Sequence, residues 1–207
     1  MSIIEVLITC AVVGLLLTMV AGFLVPAMKM QGQGAARAEM QQQTSIAMNR
    51  LVADLQSSSS GGIGVLPPSG TDPVGLGIVP ILQVDALGTS SSQVWATEAI
   101  CYFWYPGNEK LIRKRYPPDP PAVSVPFAPS RPVRLTPGDL LQIANSDNDT
   151  EVLLASHVNS FTIQHAGIGT SVTPPMTVTM RVVQTIPHSN KPEQFLLQRS
   201  ITFRNDS

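Results

Sequence analysis

Glu5 is the residue whose placement most needs a chemical explanation. It is the only charged side chain in residues 1–28, and residues 6–28 then read VLITCAVVGLLLTMVAGFLVPAM. As a helix that run is about 23 residues and roughly 35 Å long, enough to cross a bilayer. A carboxylate at the edge of hydrocarbon is costly without a partner, so Glu5 is read as functional. The nearest cation is the α-amine of Met1, and a second copy of the helix offers the same group. The chemistry implied is charge pairing, not bond making.

No comparable constellation for bond chemistry stands elsewhere. The motifs G-x-S-x-G, G-x-x-x-x-G-K and H-E-x-x-H are all missing, so the expectation is a non-enzyme without cofactor. The segment GIGTSV at 167–172 opens like a dinucleotide fingerprint but lacks its third glycine and following helix. His157, His165 and His188 have no Cys or carboxylate at ligand spacing, and no metal is expected there. Asp147, Asp149 and Glu151, with Asn148 and Thr150 between them, form the one oxygen-rich cluster. Calcium favours such oxygens in a flexible loop. The twelve-residue loop with its Gly and closing Glu is absent, so a solvated turn is the preferred reading. Asn148-Asp149-Thr150 also fits a glycosylation acceptor.

Charge and cysteine usage narrow the classes further. Net charge is −1 and 13% of residues are charged, which gives no electrostatic case for a nucleic-acid partner. Arg113-Lys114-Arg115 is the only basic cluster, read as a solvated edge that discourages aggregation. Cys10 and Cys101 lie far apart and are expected not to pair, which excludes a disulfide scaffold.

The elements that must position Glu5 follow from periodicity. Residues 27–56 are rich in Ala, Met and Gln. Thr44, Ala47, Met48, Leu51, Val52 and Leu55 recur at three- and four-residue spacing, with Arg37, Glu39, Gln43, Arg50 and Asp54 opposite. One helix of about 50 residues is predicted, apolar all round at first and amphipathic later. Gly14, Gly22 and Pro26 are where it could stretch or bend. The segment SSSSGGIG at 57–64 stops the helix, and the prolines from 67 to 73 make a loop. Strands are predicted at 78–84 (a short edge segment), 94–105, 109–116, 151–165 (split around 156–159), 176–186 and 195–204. Residues 117–137 form a proline-dense extended stretch. The expected class is α+β, a long helix against an antiparallel sheet. Its parts are an apolar membrane or filament segment at 1–28, an amphipathic helix at 29–56 and a β-rich head at 57–207.

Ser2-Ile3-Ile4-Glu5-Val6-Leu7, followed by Ala11, Val12, Val13 and Gly14, resembles the mature N-terminus of type IV pilin-like proteins. Met48-Asn49-Arg50-Leu51-Val52-Ala53-Asp54-Leu55 is similar to the R-L-x-x-D-L segment of the larger minor pilins. The hairpin Tyr102 to Leu111-Ile112-Arg113, Val152-Leu153-Leu154 with Val158-Asn159-Ser160-Phe161, and the terminal Ile201-Thr202-Phe203-Arg204-Asn205 follow in the same order. Met1 stands where Phe is commoner, and Gly22 where the family often has proline.

The resemblance implies a leader removed by a prepilin peptidase and a methylated amine on Met1. It also implies that Glu5 pairs with a neighbour's amine during assembly. It reconciles Lys29 and Arg37 with membrane orientation, since a basic leader would already have been cut away. A secretory signal peptide is disfavoured, because no basic residue precedes position 29; a plain single-span anchor explains the length but not Glu5. The expected function is a subunit of a type IV pilus or pilus-like filament. It would be held in the bacterial inner membrane beforehand, with copies of itself, other pilins and the assembly platform as partners. A pseudopilin of a type II secretion machine and a membrane-anchored binding module that never polymerises are the alternatives.

Overall fold

Helix α1 runs unbroken from Ile3 to Gln56 in the computed structural model, which describes residues 2–84, 93–96, 98–116, 134–146, 151–167, 172–185 and 192–203. At 54 residues it is about 81 Å long. Two different halves meet in it. Residues 3–32 are exposed on every side, whereas Met40, Thr44, Ala47, Met48, Leu51 and Leu55 are buried. The predicted stripe is present and starts one turn earlier, at Met40. Thr44 sits in that stripe without an orphaned hydroxyl, because its Oγ1 donates to Met40 O at 2.7 Å. The helix stops at Ser57, whose N–H still reaches the carbonyl of Ala53.

The strands are β1 (Ile63–Leu66), β2 (Val74–Ile78), β3 (Ile81–Val84), β4 (Gln93–Trp95), β5 (Ala99–Tyr105) and β6 (Lys110–Tyr116). After helix α2 (Pro137–Asn145) come β7 (Val152–Ala155), β8 (Val158–Gln164), β9 (Met176–Thr185) and β10 (Pro192–Ile201). All pairings are antiparallel. The fold is α+β, as expected, but the strands of the described residues form three sheets rather than one. Their orders are β1-β2-β5-β6-β7, β10-β9-β8 and β3-β4. The division arises between β7 and β8, where His157 adopts a left-handed φ of 58° and turns the chain out of the first sheet. The start of β8 is tied back to that sheet where Trp104 Nε1 donates to Val158 O at 2.7 Å.

The five-stranded sheet is covered on both faces over β2 and most of β5 and β6, while β7 exposes Val152 and Leu153. Tyr102 and Leu111 face α1 and the three-stranded sheet, while Cys101, Phe103 and Tyr116 face Leu135, Leu140 and Ile143 around α2. That explains the uninterrupted apolar reading of AICYFWY in β5, since alternation marks only sheets with one wet face. β9 does alternate, with Val178, Met180 and Val182 buried and Thr177, Thr179 and Arg181 half-buried.

Several expectations need revision. The expectation lacks β1, α2 and all of β2 except Ile78. Residues 78–84 are not one edge segment, because β2 ends at Ile78 in the middle of the sheet and Pro80 separates it from β3. Residues 94–105 likewise divide into β4 and β5. Gly64 shows why β1 hides from propensity: a Cβ there would lie 2.3 Å from Leu135 O, so the close backbone approach requires glycine. Ile186, Arg204, residues 117–133 of the proline-dense stretch, and 168–171 of GIGTSV lie outside the described residues.

Candidate functional site

The exposed half of α1 is the feature without a purpose inside the molecule. Its most apolar 18-residue window has a mean hydropathy of 2.6, and none of it is buried. By length and composition it can cross a membrane. Glu5 stands in its first turn. There Oε2 accepts the Ser2 N–H at 2.9 Å, and Ser2 Oγ accepts the Ile4 N–H at 3.4 Å. Ser2 and Glu5 thus form a capping box that satisfies helix-terminal donors and places an anion at the positive end of the helix dipole. The S-x-x-E spacing announces this cap in the sequence, and it gives Glu5 a local role beside charge pairing. Met1, the expected cation, lies outside the described residues.

Gly14, Gly22 and Pro26 are all helical, and α1 continues through them. A Cβ added at Gly14 or Gly22 would meet nothing within 4 Å. In the free chain these glycines therefore serve no packing of their own.

The other half of α1 is fastened to the head by charge as well as by its apolar stripe. Arg37 pairs with Glu193 of β10 where the helix reaches the sheets. At the far end Arg113 Nε lies 3.0 Å from Asp54 Oδ2, and the Tyr102 hydroxyl donates to the same oxygen at 2.5 Å. Asp54, placed by periodicity on the solvent face, in fact turns to the sheet. Burial, and then the hydrogen bond to Asp54, push the Tyr102 phenol far above its ordinary value. Burial alone would lower the Arg113 guanidinium, but the Asp54 carboxylate and the Tyr102 hydroxyl together outweigh it and the value is raised.

The basic cluster is not a solvated edge. β6 lies between β5 and β7, and only Arg115 of the three faces solvent. Alternation sends Arg113 to α1 and Lys114 to the opposite face, where Lys114 Nζ donates to Ala144 O at 3.0 Å and Ser146 O at 2.9 Å. These are carbonyls at the C-terminal end of α2, where a cation complements both orphan acceptors and dipole. Helix α2 itself was readable: Thr136-Pro137-Gly138-Asp139 carries a capping box and a proline in the first turn.

Lys114→Met keeps the stem and removes the ammonium, so stability should fall by about 2 kcal/mol as the buried carbonyls lose their donor. Thermal unfolding of full-length protein measures it. A change below about 0.5 kcal/mol would mean that water replaces the cation.

Glu151, the described member of the calcium candidate, has its carboxylate 3.5 Å from Lys114 Nζ. Asp147 and Asp149 lie outside the described residues, as does His188. Among the described residues no group of three His, Cys, Asp or Glu side chains could hold a metal ion. His157 borders a small polar cleft beside Glu39, and His165 follows β8.

Three buried or half-buried acids on β5 make the head sensitive to alkali. Burial raises the Cys101 thiol from 9.0 to about 12, with Lys114 pulling the other way. Burial, then the Glu151 carboxylate, raise Tyr105 from 10.0 to about 12. Tyr102 rises with them. Each group keeps its proton longer when folded than when unfolded. Their contribution is therefore complete below 9.0 and is lost as pH climbs towards about 12. Unfolding midpoints should drop across that window, and Cys101→Ala should remove the earliest part of the fall. A flat profile to the upper limit would contradict these assignments.

A long apolar N-terminal helix packed on antiparallel sheets is a pilin-like architecture. No protein-family model, curated protein or solved structure matches the chain.

Proposed function

We propose that this chain is a structural subunit of a type IV pilus or pilus-like filament, held in the inner membrane through α1 before assembly. One observation carries the reading. A single helix leaves residues 3–32, about 45 Å, exposed on all sides while its continuation buries one face against the head from Met40 onward. Water is a poor solvent for such a rod, whereas lipid before assembly and neighbouring rods afterwards both suit it. Exchanging one for the other gains little from hydrophobic burial, because lipid tails are equally apolar. Packing and dispersion among side chains such as Leu16, Val20 and Phe23 supply the main drive.

Glu5 then sets register. In the free chain its carboxylate accepts the Ser2 N–H, which makes it tolerable at the membrane surface. In the filament it meets the terminal amine of a neighbouring subunit. The attraction strengthens in an apolar bundle, while desolvation offsets much of the gain. The acidic group chiefly excludes arrangements that leave it unpaired.

No catalytic step and no cofactor belong to this function. A prepilin peptidase and an assembly platform are its expected partners. Electron microscopy of sheared cell-surface filaments, with mass spectrometry of the subunit's N-terminus, tests it. Filaments should contain this chain with a methylated terminal amine. Recovery only as a membrane-bound monomer would overturn the reading in favour of a simple anchor.

A further inference from the structure

Four strands end the two larger sheets, and three of them are protected. β1 and β7 have four residues each. β10 lies against α1, begins with Pro192, and carries Glu193 in its ion pair with Arg37. β8 differs. Its seven residues read VNSFTIQ, with no charge and no proline. Short length, charge, proline, bulges and cover are the devices by which exposed edges avoid unwanted pairing. Among the described residues β8 has only an irregularity at its start, between Val158 and Ser160, and none of the others from Ser160 onward.

A cavity of about 800 Å³ runs beside this strand and touches every residue from 160 to 165. Successive strand residues point to opposite faces, so a cavity bordering six in a row follows the edge, where backbone N–H and C=O groups lie. Beyond the ladder to β9, residues 160–165 make no backbone hydrogen bond to any described residue. Across the cavity are Val65, Val74 and Trp104 of the five-stranded sheet, and among the described residues no Asp, Glu, Lys or Arg lines it. The Trp104 indole is held in place by its hydrogen bond to Val158. Among the described residues, the three-stranded sheet stops one strand short of covering this apolar surface.

We propose that the edge of β8 takes up an extended, uncharged segment of a partner polypeptide as a fourth strand, with alternate apolar side chains entering the cavity over Val65, Val74 and Trp104. Only another extended backbone offers donors and acceptors at the spacing of a strand edge. An acyl chain would fill the apolar space but leave that row unmatched, and a charged peptide would find no countercharge. About six residues, near 20 Å of strand, fit the length of the edge. The inference is independent of the filament reading.

Hydrogen–deuterium exchange on the full chain in lipid nanodiscs tests it. Three probes are compared: a capped peptide of alternating Val and Thr, its counterpart methylated at every backbone nitrogen, and octanoate. The first peptide should slow exchange across β8 by at least about tenfold, and methylation should weaken binding by at least about tenfold. Absence of protection at β8, equal binding by the methylated peptide, or binding of octanoate alone would each overturn the proposal.

Discussion

Glu5→Gln is expected to abolish incorporation into filaments while leaving α1 formed and the chain in the membrane. The glutamine amide oxygen still accepts the Ser2 N–H that Glu5 Oε2 accepts at 2.9 Å, so the capping box survives. What disappears is the charge. An amine buried opposite a neutral amide loses its partner, at a cost of about 3–5 kcal/mol, or roughly two to four orders of magnitude in subunit addition. Glu5→Ala removes charge and cap together and should fail equally. The pair of variants separates two roles that share one side chain. Normal filament yield from Glu5→Gln, with none from Glu5→Ala, would leave Glu5 as a helix cap and nothing more. Normal yield from both would remove it from assembly altogether.

Asp54→Ala should be the most damaging single change at the junction of α1 and the head. It strands the Arg113 guanidinium, whose side chain is 7% exposed, and takes the acceptor from the Tyr102 hydroxyl. Breaking one side of a buried pair costs about 3–5 kcal/mol; because the Asp54 side chain is 19% exposed, the lower end applies. A loss of about 3 kcal/mol corresponds to a fall of roughly 6–12 °C in Tm for a chain of this size. Adding Arg113→Met should recover much of it, because an apolar stem fits the site without an unmatched charge. A single-variant loss under about 1 kcal/mol would class the pair with ordinary surface ion pairs.

The legible part of this protein is its long helix and most of its strands. The apolar run after Glu5 and the stripe from Thr44 to Leu55 each state a periodicity that backbone geometry must obey. β9 was legible for the same reason, since Val178, Met180 and Val182 alternate with more polar neighbours. β1 was not, because Ile63-Gly64-Val65-Leu66 is short and its glycine is there for Leu135, a residue about seventy positions away in sequence. α2 escapes periodicity because nine residues opening on Pro137-Gly138 are too few turns to display a stripe, although Thr136 and Asp139 spell its cap.

The candidate site divides along the same line. Glu5, an isolated carboxylate in an apolar run, is conspicuous by composition, and the role argued for it needs no knowledge of how the head folds. Arg113 and Lys114 are adjacent and chemically alike, so nothing in their spacing foretells opposite fates. Only the sheet, by sending neighbours to opposite faces and burying both, joins one to Asp54 and the other to the end of α2. The open edge of β8 is likewise invisible in VNSFTIQ, because whether a strand has a neighbour depends on where the rest of the chain goes. Local pattern determined which segments would be rod, helix and strand. Long-range packing decided which charges are paired, which faces are dry, and where a place beside a strand stands open.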